Sequence, residues 1–165
     1  MRTIAIEPLT KAAFANFGDV VESDGAELIR INQGFADRVN RLADIDVLAQ
    51  GGSVNISLFS SRARPRPIAI EMMERHPLGS QLFFPLQNAP WLVLVCGSPR
   101  DWQSYRAFAA TGLQGVNYAK GVWHHPLLVM SDNERFVVVD RAGPGSNLDE
   151  VWLDANHVLH LTPQT

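Results

Sequence analysis

The 165-residue chain contains one cysteine, Cys96, so an internal disulfide is impossible and a reducing, cytoplasmic setting is expected. Cys96 closes the apolar run WLVLVC at residues 91–96, where it reads as a small buried hydrophobe and not as a reactive thiol. Long apolar runs are missing too. Those at residues 91–96 and 136–139 are far too short to span a bilayer. The N-terminal MRTIAIEPLTKAAF lacks the apolar stretch of a secretory signal. Charge of one sign is also scarce: 14 Lys and Arg stand against 17 Asp and Glu, a net charge of −3. That balance argues against a nucleic-acid binder, which needs a basic face, and against polybasic attachment to acidic membranes. No GxGxxG, P-loop or GxSxG string occurs, which removes the usual dinucleotide, nucleotide and serine-hydrolase readings. No repeat, low-complexity tract or linker divides the chain, so residues 1–165 are expected to form a single domain.

What is present is an ordinary globular composition, 46% hydrophobic and 19% charged. Near the start, Thr10 can cap a short helix over residues 11–17, closed by Gly18, with Leu9, Phe14 and Phe17 as its apolar stripe. Beyond it the period changes to two. VNISLF, IAIEMM, LFFPL, WLVLVC, FVVVD and VLHLT are short, β-branched or aromatic, and bounded by Gly, Pro, Ser and Asn. SYRAFAATG fits a strand ending at a Thr111-Gly112 turn. The basic, proline-rich RARPRP at residues 62–67 reads as a solvated loop or extended edge. Many short strands and few helices point to a mainly β sandwich or barrel.

Two segments carry the candidate chemistry, EMMERHPLGSQLFFPL at residues 71–86 and GVNYAKGVWHHPLLVM at residues 115–130. Glu74 and His76 are two apart, so a strand would point both to one face. Gln81 follows after enough residues for the chain to turn back beside them. His124 and His125 are adjacent and face opposite ways on a strand, so only one can point inward. The bland alternatives are an ion pair of Glu74 with Arg75, a satisfied packing role for His125, and surface roles for His157 and His160. Arg106 with Asp140 and Arg141 reads as a structural ion pair. The four tryptophans read as core or interface aromatics.

The spacing partly resembles the cupin motifs G-x5-H-x-H-x3,4-E-x6-G and G-x5-P-x-G-x2-H-x3-N. His76, Gly121 and His124 match. Glu74 stands for the first His, Gln81 for the Glu, Asn88 for the closing Gly, Ala119 for the Pro and Leu128 for the Asn. A narrower resemblance is stronger. ERHPLGSQ, RAFAATGLQGVNY and VWHHPL, together with INQGF, DRVNRLAD and VVDRAG, resemble the bacterial ureidoglycolate lyases, also called ureidoglycolate hydrolases. These blocks run from about residue 5 to about residue 145, and the tail from residue 148 matches nothing nameable.

The resemblance implies a cupin-type double-stranded β-helix, or jelly-roll barrel, with a few short helices, as a single catalytic domain and a homodimer. It implies non-hydrolytic cleavage of ureidoglycolate to glyoxylate and urea in allantoin breakdown, with a divalent metal for which nickel is the named ion. His76 and His124 are then the expected catalytic groups. Glu74, His76, Gln81 and His124 are expected either to hold the metal or to act directly as proton-transfer groups, and Asn32, Asn117 and Tyr118 are the expected substrate contacts. A neutral Gln81 ligand would bind a metal more loosely than a carboxylate. Three other readings compete: a different cupin metalloenzyme, a non-catalytic module that binds a small acid, and a true hydrolase that releases ammonia and carbon dioxide in place of urea.

Overall fold

A computed structural model describes residues 2–154 and 159–161. In chain order, β1 (Arg2–Ile4) and β2 (Ile6–Pro8) precede helix α1 (Lys11–Phe14) and β3 (Gly18–Val21). A hairpin follows, β4 (Glu27–Ile31) and β5 (Ala36–Asn40). Next come β6 (Ser53–Ser61), β7 (Ile68–Ile70), β8 (Met72–Arg75), β9 (Gln81–Pro85) and β10 (Trp91–Cys96). The last group is β11 (Tyr105–Ala110), β12 (Gly115–Tyr118), β13 (Trp123–His124), β14 (Leu128–Val129), β15 (Glu134–Ala142), β16 (Asp149–Trp152) and β17 (Leu159–Leu161). No helix among the described residues is long and apolar enough to cross a membrane.

A seven-stranded sheet runs β16-β8-β13-β10-β11-β2, with β14 also on β10, and a five-stranded sheet runs β3-β12-β9-β15-β6. From β8 onward the chain passes repeatedly between them: β8 lies in the first, β9 in the second, β10 and β11 in the first, β12 in the second. It then returns to the first for β13, crosses for β15 and returns for β16. That alternation is the winding of a jelly-roll barrel, so the mainly β, jelly-roll fold expected from the sequence is the one observed. A three-stranded sheet, β1-β17-β7, covers the back of the larger sheet, and β4–β5 stands as a separate two-stranded hairpin.

Period two explains the layers. On β10, Trp91, Val93 and Val95 enter the barrel core with Phe83, Phe108, Val116, Phe136 and Val138. Leu92, Leu94 and Cys96 enter a second cluster with Ile68, Ile70 and Met73. Both faces of β10 are therefore covered, which is why WLVLVC is continuous and not alternating. Burial pushes the Cys96 thiol up to about 12, as expected of an inert core residue.

Two local expectations need correction. The helix expected over residues 11–17 stops at Phe14, although Thr10 does cap it, its hydroxyl accepting from the Ala13 N–H at 3.1 Å. The chain is drawn off the helix axis because the Phe17 carbonyl accepts from the Ala119 N–H at 2.9 Å and Gly18 opens β3 opposite Tyr118. A Cβ at Gly18 would lie 1.9 Å from the Asn117 carbonyl oxygen, so this approach requires glycine. Arg106 does not pair with Asp140. It makes a bidentate contact to Glu7, with Nε to Oε1 and Nη2 to Oε2 both at 2.9 Å, because β11 lies parallel to β2. Arg141 instead caps carbonyl groups of Ala49 and Pro144, at 2.8 and 2.6 Å. His157 lies outside the described residues.

Candidate active site

Four side chains named from the sequence meet at one end of the barrel. Glu74 lies near the end of β8, His76 lies just past it, Gln81 opens β9 and His124 ends β13, where it pairs with Glu74 across the strands. Residues 76–80 carry the chain from one sheet to the other, so His76 and Gln81 face each other across the barrel end. Gln81 Oε1 lies 3.1 Å from His76 Nε2 and 3.2 Å from His124 Nε2. Glu74 Oε1 lies 3.5 Å from His124 Nε2 and 3.9 Å from His76 Nε2. One donor atom from each of Glu74, His76 and His124 falls within 4.8 Å of the others, a geometry that can hold a metal ion.

The outer ring nitrogens decide the chemistry of the inner ones. His76 Nδ1 is 2.8 Å from the Asn147 carbonyl oxygen, and His124 Nδ1 is 2.9 Å from that of Val122. A carbonyl only accepts, so both Nδ1 atoms carry the proton. In the neutral rings both Nε2 lone pairs then point at the oxygens of Gln81 and Glu74. Acceptors converging on acceptors repel unless a proton or a cation lies among them. This donor set fits a divalent cation, and backbone-anchored Nδ1–H groups are the usual second support of metal-binding histidines.

Burial pushes the Glu74 carboxyl up, but when a proton is shared among these groups the hydrogen bond and charge of His124, with the charge of His76, outweigh it and hold it below the ordinary glutamate range. The expected alternative pairing with Arg75 is not made: Arg75 Nε contacts Asp149 Oδ2 at 2.8 Å and its guanidinium lies over Trp123. His125 takes no part in the cluster. It is buried, donates through Nδ1 to the Pro126 carbonyl at 2.7 Å, and is held neutral, its pKa pushed down to about 4 chiefly by burial.

The three residues expected to touch substrate separate. Tyr118 borders the cluster, its ring stacked on His124. Asn117, one residue away, faces the other side of β12 by strand alternation. Its Nδ2 donates to Asp19 Oδ2 at 3.0 Å and to the Asp44 carbonyl at 2.8 Å, pinning the segment before β6. Asn32 sits at the exposed tip of the β4–β5 hairpin with φ 54°, where it serves the turn. Sequence reasoning missed Asn147, which holds His76, and Asp140, which accepts from Gln81 Nε2 at 3.3 Å. Both come from segments far along the chain; Asp140 falls in the string VVDRAG, but nothing local there marks Gln81 as its partner.

The chain is similar to several known proteins. Among solved structures, an oxalate decarboxylase of Bacillus subtilis is similar at TM-score 0.39 and 15% identity, over 61% of this chain and 24% of that one. A protein of Burkholderia mallei named ureidoglycolate lyase is 52% identical over 96% of this chain and 98% of its own length. One of Pseudomonas syringae pv. tomato with the same name is 47% identical over 99% of this chain and 97% of its own. One of Azotobacter vinelandii, again of that name, is 48% identical over 98% of each. The sequence profile of the family described as ureidoglycolate lyase matches residues 1–160, and the chain belongs to that family.

Proposed function

We propose that this protein cleaves ureidoglycolate to glyoxylate and urea, a carbon–nitrogen lyase reaction of allantoin and purine breakdown. Family membership supplies the reaction. The observation that carries the chemistry is the convergence of Glu74, His76, Gln81 and His124 with both Nδ1 atoms locked as donors.

Ureidoglycolate is a carbinol attached to urea nitrogen and to a carboxylate. The hydroxyl must lose its proton, the carbon–nitrogen bond must break as the aldehyde forms, and the departing nitrogen must gain a proton. The proton removed is the one the urea nitrogen needs, so a single relay group suffices. Glu74 suits that role, since it stays ionised and borders both histidines. Glu74, His76, Gln81 and His124 would hold a divalent cation, nickel by the resemblance, which would orient the hydroxyl and make it more acidic. The stack of Tyr118 on His124 fixes that ring's plane. The homodimer implied by the resemblance is supported by the exposed apolar outer face of β6.

Product analysis of the purified protein with ureidoglycolate, after a chelator and again with added nickel, tests this reading. Equal urea and glyoxylate, lost with the chelator and restored by nickel, is the expected result. Turnover untouched by the chelator would leave His76 and His124 as proton carriers and remove the cation. Ammonia and carbon dioxide in place of urea would make the protein a hydrolase. Oxygen uptake would favour a different cupin metalloenzyme, and no turnover would favour a small-acid-binding module.

A further inference from the structure

A glutamine is a two-faced ligand. Its amide presents an oxygen on one side and an NH2 group on the other, and the two have nearly the same shape. Only the oxygen can share a site with histidine lone pairs and a cation. Rotated by 180°, Gln81 would aim donors at the cluster, saturating both Nε2 atoms and repelling a metal. Something must choose between the two faces.

We infer that Asp140 is the positioning residue that locks the Gln81 amide with its oxygen toward His76 and His124. Asp140 lies on β15, which pairs with β9 next to Gln81, and it shares the inward face with Phe136 and Val138. Its Oδ2 is 3.3 Å from Gln81 Nε2. A carboxylate only accepts, so the amide nitrogen must face it and the oxygen must face away. Its other oxygen, Oδ1, accepts from Asn55 Nδ2 at 2.9 Å, and Asn55 is the residue directly opposite it on β6. Asn55, Asp140 and Gln81 thus form a row across three neighbouring strands that ends on two histidines.

The charge also matters. Among the described residues both hydrogen-bond partners of Asp140 are amides, not cations, so no ion pair offsets its negative charge where it meets Gln81. It polarises the amide toward its oxygen and makes a weak neutral ligand a better one. Outer partners of metal ligands typically contribute about 10- to 100-fold in affinity. A reason for Gln81 follows as well. A glutamate there would meet the Asp140 carboxylate oxygen to oxygen.

The test rests on the cation reading above and uses four full-length proteins: wild type, Asp140→Asn, Gln81→Glu and the double variant. Nickel affinity is measured by titration calorimetry, and folding is checked by thermal melting. Asp140→Asn should weaken nickel binding by about 10- to 100-fold. In the Gln81→Glu background the same change should weaken nothing and should strengthen binding. A glutamate shows oxygen on either face, and the amide that Asp140→Asn introduces can donate to it. Equal losses in both backgrounds, or no loss in either, would overturn the assignment.

A second readout needs no metal. The Gln81 side-chain NH2 protons, followed by 15N-edited NMR, should exchange slowly in wild type and fast in Asp140→Asn. Wild-type protein that binds no nickel but shows this change would sink the cation reading and leave the lock standing. Unchanged exchange would sink the lock whatever nickel does.

Discussion

The ring of Tyr118 lies on that of His124, with centroids 4.1 Å apart and planes within 9°. Tyr118 also packs at 6.1 Å from Phe14 and 6.0 Å from Phe83, so it joins the cluster to the barrel core. Burial, with the charge of Glu74 adding to it, raises its phenol well above the usual range, so the hydroxyl stays protonated. The stack needs the ring, not the hydroxyl. Tyr118→Phe should therefore keep turnover within a few-fold of wild type. Tyr118→Ala should cost about 3–5 kcal/mol of stability, as large aromatic truncations do, and should lower turnover more than tenfold. Thermal melts and steady-state kinetics check both. Equal loss in the two variants would show that the hydroxyl touches substrate.

His124 and Asn117 offer the sharpest contrast within one short stretch. His124→Ala removes an Nε2 that faces Gln81 and Glu74, and turnover should fall by about 10²-fold or more with the fold intact. Asn117→Ala removes the two donors that hold Asp19 and the Asp44 carbonyl. Stability should fall by about 1–3 kcal/mol, with kcat and KM nearly unchanged. Kinetics at a temperature well below both melting points separates the cases. A large KM rise in Asn117→Ala would return that residue to the substrate.

The contrast also shows what was legible in the sequence. Glu74, His76, Gln81 and His124 could be read because they sit in two short, unusual strings. Strand periodicity then says that only one of His124 and His125 can join them, and the resemblance to the cupin motif favours His124. The barrel could be read because inward and outward residues alternate, and because WLVLVC does not. Asn117 misleads, since one residue along a strand reverses the face. Arg106 and Asp140 mislead for a different reason. Their partners depend on which strands neighbour each other, and the parallel pairing of β2 with β11 or the seating of β15 between β6 and β9 leaves no local mark.

Glu134 supplies a pH test away from the cluster. It is buried at the start of β15, its Oε1 accepts from the Ser131 N–H at 3.1 Å, and its Oε2 has no partner among the described residues. Burial raises its pKa, and the N–H groups of Ser131 and Met130 offset this only in part. A raised carboxyl pKa means the folded protein holds its proton more tightly than the unfolded chain does. That contribution is full below the ordinary glutamate range and is lost as pH rises through the folded value. Glu134→Gln keeps the acceptor and removes the charge. Its stability relative to wild type should therefore climb as pH is raised from the ordinary glutamate range through the raised folded value, then level off. Denaturant melts at several pH values check this, and a constant difference would refute it.

Strand β6 makes the case for assembly. It is nine residues long and forms the edge of its sheet, so one side of its backbone pairs with nothing in that sheet. Long flat edges invite pairing with other chains, and proteins normally blunt them with charge, proline or a cover. Here no charged residue interrupts the strand, and its outer face shows Val54, Ile56 and Leu58 at 54%, 69% and 58% exposure. A second copy covering this face would remove the hazard and bury the stripe. Ile56→Lys together with Leu58→Lys should then yield monomers by sedimentation equilibrium at micromolar concentration. The fold should survive, because neither side chain enters the barrel. Asn55 and Ser57 lie on the other face of the strand, and Asn55 holds Asp140. Monomers that lose turnover would mean that the row ending on Gln81 needs the partner to stay in place. Monomers with full turnover would confine the interface to solubility. Sedimentation unchanged from a dimeric wild type would move the interface off this face.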